Sequence, residues 1–292
     1  MQIITKLSKI LKRLHVKKYY DVAMRICQGN GHLFYYDLFD HNNELQYGGS
    51  KHTILKYKNE EFKFYVFNEG NSIFYNLYQN NDVNKRPECL IISVNKKEKF
   101  AYINGISYDG DCFQIDSIQK SGSTLLKISL KIIEKIQGHY KLVYIQLKDN
   151  SNKYCEKSET NIELSSLYML TKADTWYSSY GFLPFNSEKK IVDQEAYNIY
   201  ASNKKIVNSM LVKDTKIRKY LEKATDKLDL KISKEIFHKL FKKYDDKSIR
   251  VFFYDFMKNF NKNCELFSLI YKQVMMDLKI GSLHNISYFK KL

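Results

Sequence analysis

Gln119-Lys120-Ser121-Gly122-Ser123-Thr124 is the stretch whose residue types and spacing offer chemistry most directly. It stands between a segment of strand pattern and one of helical pattern, where the first N–H groups of a helix have no intrahelical partner. Aligned peptide dipoles add partial positive charge there, Gly122 lets a phosphate approach the backbone, and Ser121, Ser123 and Thr124 supply hydroxyl donors. The chemistry would be the binding of a phosphate or pyrophosphate; the plainer alternative is a serine-capped helix start. Upstream, Gly105 interrupts an apolar strand, which marks a bulge or the close approach of another backbone. The five cysteines, Cys27, Cys89, Cys112, Cys155 and Cys264, are odd in number and widely spaced. They form no C-x-x-C pair and no Cys/His spacing suited to zinc, so neither a disulfide scaffold nor a structural zinc site is expected.

The elements that must position these residues are legible from apolar periodicity. Residues 2–18 place Ile3, Ile4, Leu7, Ile10, Leu11 and Leu14 at helical spacing among lysines, an amphipathic basic helix that packs on a core, lies on an anionic membrane or acts as a presequence. Segments 33–39, 52–58, 62–68 and 72–78 are short, aromatic and β-branched, as in antiparallel strands. Leu90–Val94 and Phe100–Tyr108 read as a further hairpin around Asn95-Lys96-Lys97-Glu98. After Gln119 the period turns helical through Leu125, Leu126, Ile128, Ile132, Ile133 and Ile136, and Lys141–Lys148 follows as a buried strand. Strand, glycine turn, helix and strand predict a right-handed βαβ unit. Residues 149–164 read as a polar loop, and Leu164 to about Tyr180 as a second helix. Beyond Pro184 helical pattern dominates, with some breaks, at 193–212, 214–224, 233–244 and 248–279.

The turn at 119–124 resembles the Q/R-x-x-G-x-G/A loop of the GNAT superfamily of acyl-CoA-dependent N-acyltransferases, matching at Gln119 and Gly122 and departing at Thr124. Ala173-Asp174-Thr175-Trp176-Tyr177-Ser178-Ser179-Tyr180-Gly181-Phe182 resembles the A-x-x-F-Y-x-x-x-G-F pattern that ends the superfamily's last conserved helix. The two motifs stand in the family's order, with the expected strand between them. The runs at 166–170 and 176–184 are similar to uncharacterised GNAT-like proteins of giant DNA viruses.

This resemblance implies an α/β (α+β mixed) fold, a GNAT-like mixed central sheet with flanking helices plus a helical C-terminal region. It implies acetyl-CoA as cosubstrate, in a cleft where the bulged strand before the glycine turn splays from the next. N–H groups near Ile103, Gly105 and Ser107 would polarise the thioester carbonyl. The pyrophosphate would sit on the turn, with Gln119, Lys120, Ser121, Gly122, Ser123, Thr124 and Leu125 as cofactor contacts. Tyr177 takes the place of the hydroxyl near the thioester sulfur, where it can protonate or hydrogen-bond the thiolate; its plain alternative is core packing. Asp109, Asp111 and Asp116 are candidates for the base that deprotonates an amine acceptor, and equally for solvated turn residues. Ile286–Leu292 resembles the closing strand of the family. Residues 1–184 would then hold the helix, the β-rich half and the acyl-CoA-binding core, with 185–282 as a helical insertion or an appended helical domain and 283–292 as the terminal strand.

Composition bounds the rest. A 44% hydrophobic content with 24 Tyr and 18 Phe supports a folded core. The formal net charge of +16 attracts nucleic acid, anionic membrane or an anionic cofactor, yet only five of the 48 cations are arginine, the residue preferred for bidentate phosphate and base contacts. A basic nucleic-acid-binding protein therefore stands behind two other readings, an N-acyltransferase with an unidentified amine acceptor and a catalytically inactive GNAT-like interaction or virion-associated protein. With no apolar run of membrane-spanning length and no signal-peptide pattern, a cytoplasmic location (host cytoplasm or virion) is expected.

Overall fold

The computed structural model describes residues 52–58, 60–78, 88–107, 122–230 and 234–292. The expected helix at 2–18 and strand at 33–39 lie outside the described residues. Five strands run antiparallel in chain order: β1 (His52–Tyr57), β2 (Glu60–Glu69), β3 (Ser72–Tyr78), β4 (Glu88–Asn95) and β5 (Phe100–Ile106). Their alternation follows the pleat. In β2, Phe62 and Phe64 are buried while Glu61 is exposed and Lys63 half-exposed.

Helix α1 (Gly122–Tyr140) then carries the chain over the sheet to β6 (Tyr144–Lys148), which pairs parallel to β5. Leu125, Leu126, Ile128, Ile132, Ile133 and Ile136 of α1 share one core with Ile92, Val94, Ala101, Ile103, Ile145 and Leu147 of the strands. Each of these Leu, Ile and Val side chains stabilises the fold by about 1.5–3 kcal/mol when fully buried.

Residues 149–164 are not a plain loop. They form a hairpin, β7 (Asn152–Cys155) and β8 (Thr160–Glu163), before helix α2 (Leu164–Lys172). The helix expected to reach Tyr180 stops at Ala173, which adopts φ 54° and caps the Met169 carbonyl at 3.0 Å. Local side-chain bonds end it: Asp174 accepts from the Thr175 N–H at 2.8 Å, and Thr175 Oγ1 from the Ser178 N–H at 3.1 Å. A short 3-10 turn at Ser178–Tyr180 leads to two strands that apolar pattern did not reveal, β9 (Leu183–Asn186) and β10 (Ile191–Val192).

Helices α3 (Gln194–Ser209), α4 (Ile217–Lys227), α5 (Lys234–Lys242), α6 (Ile249–Phe256) and α7 (Phe260–Asp277) follow. The helical pattern at 248–279 divides into α6 and α7 at a 3-10 turn, where the Asn259 side chain accepts from the Lys262 N–H. Phe241, Phe252, Phe253, Phe267 and Val274 form a second core, and it takes in Leu167, Met169 and Leu170 of α2. The final strand, β11 (Ser287–Lys291), enters between β6 and β9, antiparallel to both. The result is a mixed sheet of nine strands in the order β1-β2-β3-β4-β5-β6-β11-β9-β10, with helices: a mixed α+β fold.

The cysteine expectation is corrected. Cys155 of β7 and Cys264 of α7 form a disulfide, with Cα atoms 5.7 Å apart, and Cys89 is also disulfide-bonded. Wide sequence spacing concealed a pair that tertiary packing brings together. Among the described residues no helix is long and apolar enough to cross a membrane, and no cluster of three or more His, Cys, Asp or Glu is placed to hold a metal.

Candidate active site

The parallel pairing of β5 with β6 runs from Phe100↔Tyr144 to Ile103↔Leu147 and stops. On the other side of β5, Ile92 faces Ile103 while Ile91 faces Gly105, so Asn104 is the extra residue of a bulge. Its Nδ2 donates to Ser93 Oγ at 3.0 Å. Gly105 thus stands beside the bulge and keeps a cross-strand partner. Past this point β5 follows β4, with the Ser107 N–H bonded to the Cys89 carbonyl at 3.0 Å. Strand β6 follows β11 instead, through Ser287↔Lys148 and the bonds Asp149 N–H to Ile286 O (2.9 Å) and Asn285 N–H to Asp149 O (2.7 Å). The two parallel strands part at their C-terminal ends. Because N–H directions alternate along a strand, the Ser107 N–H is committed to β4 and the neighbouring Ile106 N–H turns towards the gap.

Helix α1 begins at Gly122, on the connection from β5 to β6. Trp176 packs there: its indole Nε1–H donates to Ser123 Oγ at 3.2 Å, and its ring lies 3.6 Å from where a Cβ on Gly122 would stand. Both family-like motifs therefore meet in space, although 53 residues separate Ser123 from Trp176. Leu125 is fully buried in the sheet core, so only its backbone can face a ligand. Ser123 is half-buried and Thr124 is buried.

Tyr177 sits at the start of the 3-10 turn, only 6% exposed, against the rings of Trp176 (4.8 Å), Tyr288 (5.7 Å) and Phe182 (6.2 Å). Burial, and then the charge of Asp149, hold its phenol protonated far above the ordinary range; Ser151 opposes them and is outweighed. A thiol ionises near pKa 8.5, so a phenol this reluctant to ionise would stabilise a thiolate by hydrogen bonding and keep its own proton.

Asp149 itself is completely buried. Its Oδ1 accepts from the Ser151 N–H at 3.0 Å and from the Ser151 hydroxyl, while Oδ2 has no hydrogen-bond partner. Burial pushes its pKa up, against the bonds from Ser151 and the field of His284. The Tyr288 hydroxyl faces Thr175 without a hydrogen bond of good geometry, and burial holds it protonated above its usual range.

Ile103 and Gly105 thus stand where β5 and β6 part, Gly122 and Ser123 meet Trp176, whose ring packs on Tyr177, and Thr124 is buried in α1, whereas Ser107 directs its N–H to β4. Gln119, Lys120, Ser121, Asp109, Asp111 and Asp116 lie outside the described residues. Sequence reasoning missed Asp149. Its signal was weak but present: an aspartate directly after a buried parallel strand, where sheet topology gathers ligand and catalytic groups. Comparison with protein families, with curated proteins and with solved structures found no match.

Proposed function

We propose that this chain is an acyl-CoA-dependent N-acyltransferase of the GNAT type, moving an acetyl group from acetyl-CoA to an amine. The observation that carries the reading is the parting of β5 and β6 after Ile103↔Leu147, beside the N-terminus of α1. A bulge that releases one parallel strand from the other leaves an edge for an extended chain to enter, and the helix start next to it suits a pyrophosphate. In this reading Gly122, Ser123, Thr124 and the Leu125 N–H hold phosphate oxygens, the Ile106 N–H meets the acyl carbonyl, and Tyr177 hydrogen-bonds the sulfur. Acetyl-CoA supplies an activated thioester; the protein supplies position and hydrogen bonds.

Calorimetric titration with acetyl-CoA and CoA tests this. A Cβ at Gly122 makes only an ordinary van der Waals contact with Trp176, so the backbone tolerates a side chain there. We expect micromolar binding by the wild type, retained by Gly122→Ala and abolished by Gly122→Glu, which sets a negative charge in the phosphate seat. Absence of binding by the wild type at moderate salt rejects the reading.

The burial of Tyr177 favours a second reading, a GNAT-like protein that binds partners without catalysis. It predicts CoA binding without turnover, or no binding. The expected cytoplasmic location is not carried into this proposal, because the paired cysteines weigh against a reducing compartment. Disulfides persist where thiols are oxidised, so they favour an oxidising compartment or a particle assembled under oxidising conditions.

A further inference from the structure

Three buried polar atoms without a hydrogen-bond partner belong to one neighbourhood: Asp149 Oδ2, His284 Nδ1 and Tyr288 Oη. The backbone brings them together. Asn285, next to His284, donates its N–H to the Asp149 carbonyl, and Tyr288 stands in register with Leu147, two residues before Asp149. Asp149 feels the charge of His284, and both Tyr177 and Tyr288 feel that of Asp149. Unpartnered buried polar atoms are rare, and a group of them calls for a water, an ion or a catalytic role. A carboxylate oxygen, an imidazole nitrogen and a phenol together offer the three partners an enclosed water commonly takes.

We propose that Asp149 and His284 relay a proton from the acyl acceptor to solvent, with Tyr288 and one enclosed water completing the route. The inference rests on the acyltransferase reading. In that reaction an ammonium loses two protons, the new N–C bond forms and the C–S bond breaks. One proton ends on the departing sulfur and the other must leave. Asp149 lies just past the C-terminal end of β6, beside Tyr177. His284 is half-exposed and adjoins a surface pocket of about 200 Å³ lined by Asp193, Glu195, Ser282, Leu283 and Ile286. The polar and titratable groups that face Asp149 are Ser151 before β7, Glu163 of β8, Tyr177 of the turn after α2, and His284 and Tyr288 on the return into β11. Its carboxyl is raised by burial, so it can accept a proton near neutrality more readily than an exposed aspartate.

The test uses the full chain, acetyl-CoA and two small nucleophiles: ethylamine, charged at pH 7, and hydroxylamine, already neutral there. Thiol release is followed, with the uncatalysed reaction subtracted, while calorimetry and circular dichroism check CoA binding and folding. We expect Asp149→Asn to keep CoA affinity, to lose about 100-fold in turnover with ethylamine, and to lose less than about tenfold with hydroxylamine. His284→Ala should lose turnover with ethylamine and regain it with added imidazole. Equal losses with both nucleophiles, or no loss, overturn the route while leaving the acyltransferase reading intact. Wild-type protein that binds no CoA defeats that reading and the route with it. Binding without thiol release from either nucleophile overturns the route, since no proton is then delivered to it.

Discussion

Replacing Cys155 and Cys264 together by alanine removes a covalent link between β7 and α7 across a sequence separation of 109 residues. In the chain-entropy treatment, opening a loop of that length returns about 16 cal/mol/K to the unfolded chain, or about 5 kcal/mol at 25 °C. That is comparable to the whole stability of many domains, which runs from about 5 to 15 kcal/mol. Two noncovalent contacts remain at the same junction: Lys153 over the Phe260 ring at 3.8 Å and the Ser268 hydroxyl to Ser158 Oγ at 3.2 Å. Both act only in the folded state and cannot replace a restraint on the unfolded one. Urea unfolding, read by circular dichroism and extrapolated linearly, should place the double variant roughly 4–5 kcal/mol below wild type. Wild type refolded in reductant should fall at least as far, because the bond at Cys89 is then open as well. Reductant added to the native protein should act slowly, because Cys155 and Cys264 are 0% and 1% exposed. A double variant within about 1 kcal/mol of wild type, against the usual 2–4 kcal/mol for a disulfide, or rapid reduction of the native state, would refute the argument.

Other outcomes follow from single side chains. Ile133→Ala on the sheet-facing stripe of α1 empties a fully buried site and should cost about 2–5 kcal/mol in urea unfolding, and a loss under about 1 kcal/mol would mean that the core collapses around it. Asn203 donates to the Gly281 carbonyl at 2.8 Å and accepts from its N–H at 3.0 Å, clamping α3 to the segment that returns into β11. Asn203→Ala should therefore cost about 1–3 kcal/mol, and Gly281→Ala should also destabilise, since its Cβ would stand 2.6 Å from Ile199 Cγ2; unchanged melting temperatures would dismiss the clamp. For Asp149 the folded pKa is raised, so its contribution is full below the ordinary carboxylate pKa of about 4 and is lost as pH rises through the raised value. Asp149→Asn should gain on wild type in urea midpoint between about pH 4 and pH 7, and parallel pH profiles would exclude a buried carboxylate there.

The periodicities of this chain were sufficient for the elements that face one core. Strands β2 to β6 and helix α1 announce themselves because alternation and 3.6-residue spacing are direct records of a buried face. Gly105 likewise pointed at a disturbance in β5, although the residue actually bulged is its neighbour Asn104. What pattern concealed was decided by partners far away in the sequence. Hairpin β7–β8 is polar over most of its length, and Ile162 is buried against helices that the local sequence does not mention. Helix α2 ends at Ala173 because the following Asp174 and Thr175 bond the backbone themselves, a competition that apolar spacing does not register. The Cys155–Cys264 bond and the burial of Asp149 arise in the same way. Asp149 looks like an ordinary aspartate after a strand, and only the convergence of Ser151, Tyr177, His284 and Tyr288 strips it of water. Local order was thus the sequence's to determine, since it depends on neighbours along the chain. The chemistry of the gap was left to tertiary structure, because desolvation and mutual charge exist only once separate segments have met.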